Sequence, residues 1–256
     1  MIDDSRARQI LDAIMALARL DFSHKIEIDE QDDSITAIAA GVNMLGEELR
    51  DNVVSLKEKE QLLKELHHRV KNNMQIIISM LKLQTIGETN PRLLELVHDS
   101  QNRISAMALV HEMLYSTRDF VFTRLSQYVH FLTESLFMSY APPSHQIRIV
   151  QDIDEELFFE IDRMIPLGLI INEMVSNSLK HAFPAGKGEI RIAASVDEEG
   201  WCILTYSDNG MGLPDGFQIE DSESLGMQLI VMLTEQLDGT LDYDNHSGLS
   251  YRVTFI

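Results

Sequence analysis

The sequence predicts an α+β chain in which a helical part comes first and a sheet covered by helices follows. In the first part, a seam of apolar residues runs at alternating steps of four and three residues, which is the spacing of a helical coiled coil. After about residue 120, short strand-like segments alternate with helical ones, which is typical of an α/β sandwich with a mixed sheet. We therefore expect a coiled coil and four-helix dimerisation bundle, followed by an α/β sandwich.

The composition narrows the classes of partner. The 256 residues include 41 Asp and Glu against 21 Lys and Arg, a formal charge of −20. Nucleic acid and anionic membranes would be repelled, so we expect neither as a partner. The single Cys202 rules out an internal disulfide and suits a reducing cytoplasm. The longest apolar run, residues 164–171, is too short for a membrane span, and we expect no signal peptide. A cytoplasmic protein, or the cytoplasmic part of a larger one, is expected.

Residues 1–55 are predicted to be two helices joined by a polar connector. Residues 6–20 have helical apolar spacing, residues 21–33 are polar, and Ser34 is placed to cap a second helix. This pattern resembles a HAMP signalling module, particularly at ARLDFS and AAGVNMLGEEL. A pair of ordinary amphipathic helices is the alternative. The resemblance implies that this part relays a signal as a change in helix packing.

Residues 56–119 are expected to form a two-helix hairpin that dimerises. The coiled-coil seam continues into it and has six apolar residues among nine: Leu45, Leu49, Asn52, Leu56, Lys59, Leu63, Leu66, Val70 and Asn73. A turn at residues 87–91 ends the long helix, and a second helix runs to about residue 117. Two such hairpins in a homodimer would make a four-helix bundle.

The two adjacent histidines of the long helix are expected to face different ways. His68 lies two residues from the seam positions on either side, so at about 100° per residue it points away from the seam and into solvent. Asn72, four residues further on, shares this face. His67 lies beside the seam, where packing or a hydrogen bond is expected. His111, near the apolar side of the second helix, is expected in the core.

Residues 120–256 are expected to form the sandwich. The predicted elements, in order, are a helix over 125–140, a strand over 147–152, a helix over 163–182, strands over 189–197 and 201–207, a helix over 224–237, and strands near 240–244 and 250–256. A mixed sheet with helices on one face would result.

The helix PLGLIINEMVSNSLKHAF carries a polar stripe on an otherwise apolar surface. Glu173, Asn177, Lys180 and His181 fall at helical spacing along it. A solvated helix face is one interpretation. A nucleotide site is the other, because carboxylate and amide oxygens such as those of Glu173 and Asn177 suit magnesium, and a lysine is a point charge for phosphate.

Two further segments carry glycines next to strands or helices. SDNGMGLP, residues 207–214, follows a strand, and its Asn-Gly pair is typical of a hairpin, but a loop rather than a pairing strand comes next. Asp208 at the strand end can accept a hydrogen bond from an exocyclic amine, and the neighbouring glycines let a ligand approach the backbone. SESLGMQLIVML begins a helix that Ser222 or Ser224 can cap, and Gly226 leaves room there for a phosphate.

Together these three segments resemble the Bergerat-type ATP-binding fold shared by histidine kinases, gyrase, the Hsp90 chaperones and MutL. The resemblance is carried by the asparagine-box helix, by the adenine box and by a second glycine box with one glycine instead of two. The matching residues are Glu173, Asn177, Lys180 and His181, then Asp208, Gly210 and Gly212, then Leu225, Gly226 and Met227. It implies ATP and Mg²⁺ as cofactors, with Asn177 on magnesium, Asp208 on the adenine amine, and Lys180 and His181 near phosphate.

Residues 65–75, ELHHRVKNNMQ, closely resemble the phosphoacceptor box of the HWE-related sensor histidine kinases, whose motif is His-Arg-x-Lys-Asn. The similarity continues through NRISAMALVHEMLY, IPLGLIINEMVSNSLKHAFP and SLGMQLI and covers residues 60–256. It implies that His68 accepts phosphate from ATP and passes it to an aspartate of a separate response regulator. Arg69 and Lys71 would steady the phosphoryl group, and Asn72 would orient a water for dephosphorylation of the regulator.

The general base is not identified by this match. Many histidine kinases carry a glutamate directly after the acceptor histidine, whereas this chain has Arg69. Glu65, three residues before His68, is a candidate, and Glu173 belongs to the expected catalytic set.

Three other functions are compatible with parts of the pattern. A conformational ATPase of the same superfamily would need no exposed acceptor histidine on a coiled coil. A serine kinase of the anti-sigma type typically lacks the dimerisation hairpin. A non-catalytic dimeric scaffold would carry a decayed nucleotide site, whereas the nucleotide residues here are intact apart from the single glycine at Gly226.

Overall fold

The computed structural model describes residues 13, 23, 25–27, 34–116, 122–141, 145–214 and 224–256, and the chain divides into two compact units, residues 1–65 and 66–256. The predicted helix over 6–20 and most of the HAMP-like connector lie outside the described residues, so the HAMP-like module stays a prediction. In the first unit, the backbone N–H of Ile26 donates to Asn43 Oδ1 at 3.0 Å, and Asn43 Nδ2 donates back to the Ile26 carbonyl at 2.8 Å.

The two long helices and the turn between them follow the prediction. Helix α1 spans Ser34–Gln84 and helix α2 spans Pro91–Ser116. Gly87 in the turn has a φ of 82°, which favours glycine. Asn90 Oδ1 accepts hydrogen bonds from the backbone N–H groups of Arg92 and Leu93 at 3.1 and 3.4 Å, and so caps α2. Among the described residues, no helix is long and apolar enough to cross a membrane.

The predicted α+β fold is confirmed by a five-stranded mixed sheet. Its strands are β2 (Gln146–Ile153), β4 (Lys187–Val196), β5 (Cys202–Asp208), β6 (Thr240–Asp244) and β7 (Ser250–Phe255), in the spatial order β2-β4-β5-β7-β6. Strands β2 and β4 run parallel, and the other neighbours are antiparallel. Two short strands that the sequence did not predict, β1 (Phe122–Arg124) and β3 (Phe158–Glu160), pair with each other, and each is too short to show alternation.

Three helices cover one face of the sheet. They are α3 (Leu125–Tyr140), α4 (Ile161–Asn177) and α5 (Leu225–Gln236). Alternate strand residues such as Ile192, Leu204 and Val253 are buried in the same core as these helices, because successive side chains of a strand point to opposite faces. The predicted helix over 163–182 is present, but its last turn, Ser178–Ala182, widens into a π-helix.

Helix α2 is part of this core. Ala106, Val110 and Leu114 are buried, and they belong to the same apolar cluster as the sheet and its helices. The hydroxyl of Tyr128 on α3 donates to the Ala106 carbonyl at 3.1 Å. A side chain at Gly168 on α4 would place its Cβ 2.0 Å from this hydroxyl, so glycine makes room for the contact. The second helix of the hairpin and the sandwich therefore share one core.

Candidate nucleotide and phosphoacceptor site

The predicted orientations of the two adjacent histidines are confirmed. His68 is exposed on α1, and the amide nitrogen of Asn72 lies 3.4 Å from its Nδ1. His67 is buried, and its Nδ1 lies 3.1 Å from Nδ1 of His111, which is buried as predicted. Burial lowers the pKa of His111 below its ordinary value, and the neighbouring His67 lowers it further. Only His68 of this pair therefore faces solvent.

The two basic residues that follow His68 in the predicted motif, Arg69 and Lys71, have different surroundings. Arg69 is exposed. The Lys71 ammonium lies 2.7 Å from the Glu112 carboxylate of α2, in an ion pair across the hairpin. The Lys71 side chain is thus directed toward α2, on the side of the helix where His67 contacts His111.

A cavity of about 190 Å³ brings the three predicted nucleotide segments together. Its lining residues are Asn177, Ser178, His181, Ala182, Asp208, Gly212, Leu213, Ser224, Met227 and Leu249. The end of α4, the loop after β5 and the start of α5 meet here because all three lie at one end of the sheet. Residues 215–223, between the second and third segments, lie outside the described residues.

Asp208 is buried at the end of β5 and oriented by several donors. Its Oδ1 accepts hydrogen bonds from the backbone N–H of Gly210 at 2.9 Å and of Leu249 at 3.4 Å. Its Oδ2 accepts one from the Ser178 hydroxyl. Gly210 is needed for close packing, since a Cβ there would lie 2.5 Å from the Ala182 carbonyl oxygen. Gly212 has a φ of 69°, which an L side chain rarely adopts.

Asn177 carries the side-chain amide that the sequence predicts as a magnesium ligand. Its Nδ2 is buried and makes no hydrogen bond within the described part of the chain. Its amide borders the cavity that Asp208 also lines. Magnesium uses few protein oxygens and keeps waters and phosphates in its shell, so one amide oxygen here fits that ion. Among the described residues, no cluster of three or more His, Cys, Asp or Glu forms a separate metal site.

Glu173 is not on a solvated helix face. Its two oxygens accept hydrogen bonds from Nε and Nη2 of Arg103, each at 2.8 Å, and Asn172 Nδ2 donates to Oε1 at 2.9 Å. Only 4% of its side chain is exposed, against 14% for Arg103. The Glu173 carboxylate is therefore oriented by Arg103, and it can meet magnesium only if Arg103 moves away.

Lys180 is likewise paired with α2. Its ammonium lies 2.9 and 3.1 Å from the two oxygens of Asp99 and 3.5 Å from Glu95. The Tyr140 hydroxyl also donates to Asp99 at 2.7 Å. His181, the next residue, is exposed and lines the cavity. Glu173 and Lys180, the two charged members of the predicted polar stripe apart from His181, therefore both bind residues of α2.

The start of α5 differs in one respect from expectation. Ser224 precedes the helix, but its side chain makes no capping hydrogen bond to it, so the prediction is wrong for this residue. The other predicted cap, Ser222, lies outside the described residues. A Cβ at Gly226 would lie 2.7 Å from Glu173 Oε2, so the glycine leaves room for that carboxylate. Met227 lines the cavity, whereas Leu225 is half exposed.

Asp99, Arg103 and Ser178 were not among the predicted site residues. Asp99 and Arg103 stand four apart on one helix, a spacing that ordinarily indicates a local surface pair. Each instead bonds a residue about 70 to 80 positions further along the chain. Only the packing of α2 against α4 reveals this.

Comparison with known proteins identifies the family. Residues 65–140 match the family model described as histidine kinase, of the HisKA_2 type. Residues 163–256 match the one described as histidine kinase-, DNA gyrase B-, and HSP90-like ATPase. The chain belongs to the histidine kinase family. The predicted family and the predicted class of enzyme, a protein-histidine kinase, are thereby confirmed.

Named relatives of this histidine kinase chain come from several bacteria. It is 33% identical over 190 residues to the sensor histidine kinase PdtaS of Mycobacterium tuberculosis, a match of 73% of this chain and 37% of that protein. It is also 33% identical over 198 residues to PdtaS of Mycolicibacterium smegmatis, a match of 76% of this chain and 39% of that protein. The chain thus spans well under half the length of these relatives. Blue-light-activated histidine kinase 2 of Erythrobacter litoralis is 21% identical over 194 residues, covering 72% of this chain and 54% of that one.

A solved structure shows the same fold. The histidine kinase domain of the Erythrobacter litoralis EL346 blue-light activated histidine kinase superposes with a TM-score of 0.56 at 20% identity. The match covers 78% of this chain and 95% of that domain.

Proposed function

We propose that this chain is the kinase part of a two-component sensor. It would phosphorylate itself on His68, with Mg²⁺-ATP as the phosphate donor. The phosphoryl group would then pass to an aspartate of a separate response regulator. The observation that supports this most is one compact unit holding an exposed His68 and a cavity lined by Asn177 and Asp208. The names of the relatives agree with it.

Different residues of the cavity would bind the adenine, the magnesium ion and the phosphates of Mg²⁺-ATP. The Asp208 carboxylate would accept a hydrogen bond from the adenine amine, beside the close-packed backbone at Gly210 and Gly212. Asn177, which also lines the cavity, would hold Mg²⁺, which neutralises phosphate charge when bound. Lys180 and His181 would lie near the phosphates, with the segment Leu225, Gly226 and Met227 at the start of α5. Glu173 would contact Mg²⁺ only after its ion pair with Arg103 is broken.

The transfer itself would be an in-line displacement. A ring nitrogen of His68 attacks the γ-phosphorus, the N–P bond forms, and the bond from phosphorus to the β,γ-bridging oxygen breaks with its electron pair leaving on ADP. The proton on the other ring nitrogen is lost to solvent after transfer. Arg69 and Lys71 would steady the phosphoryl group.

A homodimer and a receiver domain are the proposed partners. The hairpin exposes large apolar residues that one chain leaves uncovered: Leu62, Leu63, Leu66, Ile76, Ile77, Met80, Leu83, Leu93 and Leu96. A second copy would cover such a surface as a four-helix bundle. The receiver domain would dock on the hairpin below His68, where Asn72 would orient a water for its dephosphorylation. The N-terminal module would supply the input signal.

Autophosphorylation with γ-labelled ATP and Mg²⁺ tests this function. The wild type is compared with His68→Gln and with His67→Gln, a matched change at the neighbouring histidine. Acid-labile label is expected on the wild type and on His67→Gln, and its loss is expected in His68→Gln.

Other results would point elsewhere. Label lost only in His67→Gln would keep the reaction and overturn the assigned acceptor. A wild type that binds ATP without becoming labelled would favour a conformational ATPase or a scaffold.

A further inference from the structure

A chain of three buried side chains leads from the sheet to the base-reading end of the cavity. The Tyr206 hydroxyl donates to Ser178 Oγ at 2.7 Å, and the Ser178 hydroxyl donates to Asp208 Oδ2. The exposed fractions of Tyr206, Ser178 and Asp208 are 2%, 3% and 5%. Tyr206 and Asp208 are two residues apart on β5, so their side chains point to the same face of the sheet.

The direction of this chain is fixed by the hydrogens that each group has. A carboxylate only accepts, and a serine hydroxyl has one proton to give. Ser178 therefore gives its proton to Asp208 and accepts from Tyr206. Burial raises the pKa of the Tyr206 hydroxyl well above its ordinary value, and the nearby Asp208 charge acts in the same direction, so Tyr206 keeps its proton.

As a result, the Asp208 carboxylate can accept a hydrogen bond from a ligand but cannot donate one. Asp208 Oδ1 already takes two backbone N–H groups, and Oδ2 takes the Ser178 hydroxyl. Ser178 and Asp208 both line the cavity. Any further hydrogen bond that the Asp208 carboxylate accepts would therefore come from a ligand in the cavity.

We propose that Tyr206 and Ser178 are positioning residues that set the base specificity of this site. They hold Asp208 so that a purine with an amino group at position 6 binds well and a 6-oxo purine is rejected. A 6-oxo group would place its own acceptor against the carboxylate, and two acceptors cannot share a hydrogen bond. The inference rests on the proposed function, in which Asp208 reads the adenine amine.

A purely structural role for Tyr206 would have a different consequence. Phenylalanine fills nearly the same volume in the core but cannot donate to Ser178. If the tyrosine served only packing, its hydroxyl would be dispensable, or its loss would weaken ATP and ITP equally. If it positions Asp208, its loss changes the ratio of the two affinities.

The test compares dissociation constants for ATP and for ITP, which differs at position 6, with Mg²⁺ by calorimetry on the whole chain. Variants are Tyr206→Phe, Ser178→Ala and the double variant. Tyr128→Phe is the matched control, because it also removes a buried hydroxyl hydrogen bond, to the Ala106 carbonyl.

The wild type is expected to bind ATP much more tightly than ITP. Ser178→Ala should lower the ATP preference by about tenfold, because its hydroxyl bonds the charged carboxylate, and Tyr206→Phe should lower it by about fivefold, because its hydroxyl bonds the neutral serine. The double variant should match Ser178→Ala, since removing the serine already breaks the chain. Tyr128→Phe should keep the wild-type ratio.

The outcomes separate this inference from the proposed function. A wild type that binds ATP in preference to ITP, with variants that keep that ratio or lose both affinities equally, would overturn the inference alone. A wild type that binds both nucleotides equally well would overturn the inference together with the assignment of Asp208 to the adenine amine, and would leave the proposed autophosphorylation standing. If the wild type binds neither nucleotide, the proposed function and the inference both fall.

Discussion

At the scale of single residues, two neighbouring histidines of one helix have opposite environments. His68 is in solvent next to Asn72, whereas His67 is buried against His111. Helical spacing alone predicted both orientations, because a step of about 100° per residue separates adjacent side chains. The partner of His67 could not be predicted, since it depends on how α2 lies against α1.

The buried pair should make stability depend on pH. The pKa of His111 is lowered in the folded state, so below about pH 6.5 the unfolded chain binds the proton more readily. The free energy of unfolding should therefore fall as the pH drops through about 6.5, and this loss should stop below the folded pKa. Denaturant unfolding at pH 7.5 and 5.5 should show a smaller fall in His111→Leu than in the wild type.

His130→Leu is the control for this experiment. His130 is on α3, and 57% of its side chain is exposed, so its removal should leave the wild-type pH dependence unchanged. An equal fall in the wild type and in His111→Leu would show that the buried pair does not cause the effect.

At the scale of elements, helix α2 binds the charged residues of the asparagine-box helix. Glu95, Asp99 and Arg103 follow one another at four-residue steps, and they contact Lys180 and Glu173 in a charge-matched arrangement. Sequence reasoning singled out Glu173 and Lys180 as members of a polar stripe. It could not identify α2 as their partner, because nothing in a one-dimensional pattern relates residues so far apart.

Asp99 should compete with ATP for Lys180. The carboxylate of Asp99 partly neutralises the Lys180 ammonium and so weakens its attraction for a phosphate of ATP. Asp99→Asn is therefore expected to tighten Mg²⁺-ATP binding about fivefold. This corresponds to about 1 kcal/mol, the upper value for an ion pair near the surface. The measurement is the dissociation constant of ATP with Mg²⁺, by calorimetry.

Glu155→Gln removes the same charge elsewhere. Glu155 pairs with Arg124 at 3.0 Å, and 70% of its side chain is exposed. It should leave ATP affinity unchanged, which controls for the net charge of the chain. Weaker ATP binding in Asp99→Asn would instead make Asp99 a residue that positions Lys180 for phosphate.

At the scale of the whole molecule, the second helix of the hairpin completes the core of the sandwich. Leu114 on α2 is fully buried in the cluster that also holds the sheet, whereas Leu83 on α1 is 63% exposed. The sequence predicted an apolar face on α2. It did not show whether that face would meet a second chain or its own sandwich.

Two leucine-to-alanine changes should therefore differ strongly. Leu114→Ala is expected to lower the free energy of unfolding by about 2–5 kcal/mol, because it leaves a cavity in the core. Leu83→Ala should change the same quantity by less than about 0.5 kcal/mol in a single chain. Urea unfolding of both variants gives the values, and a small effect at Leu114 would mean that α2 separates from the sandwich before it unfolds.

The sequence by itself determined the order and type of the main elements, the α+β class, the three nucleotide segments and the outward face of His68. These follow from local causes, namely apolar period, glycine placement and helical spacing. Only the tertiary structure decided that Arg103 and Asp99 bind the asparagine-box helix and that Tyr206 and Ser178 orient Asp208. Such contacts join residues about 30 to 80 positions apart. They arise from the packing of whole elements, which a local sequence pattern does not record.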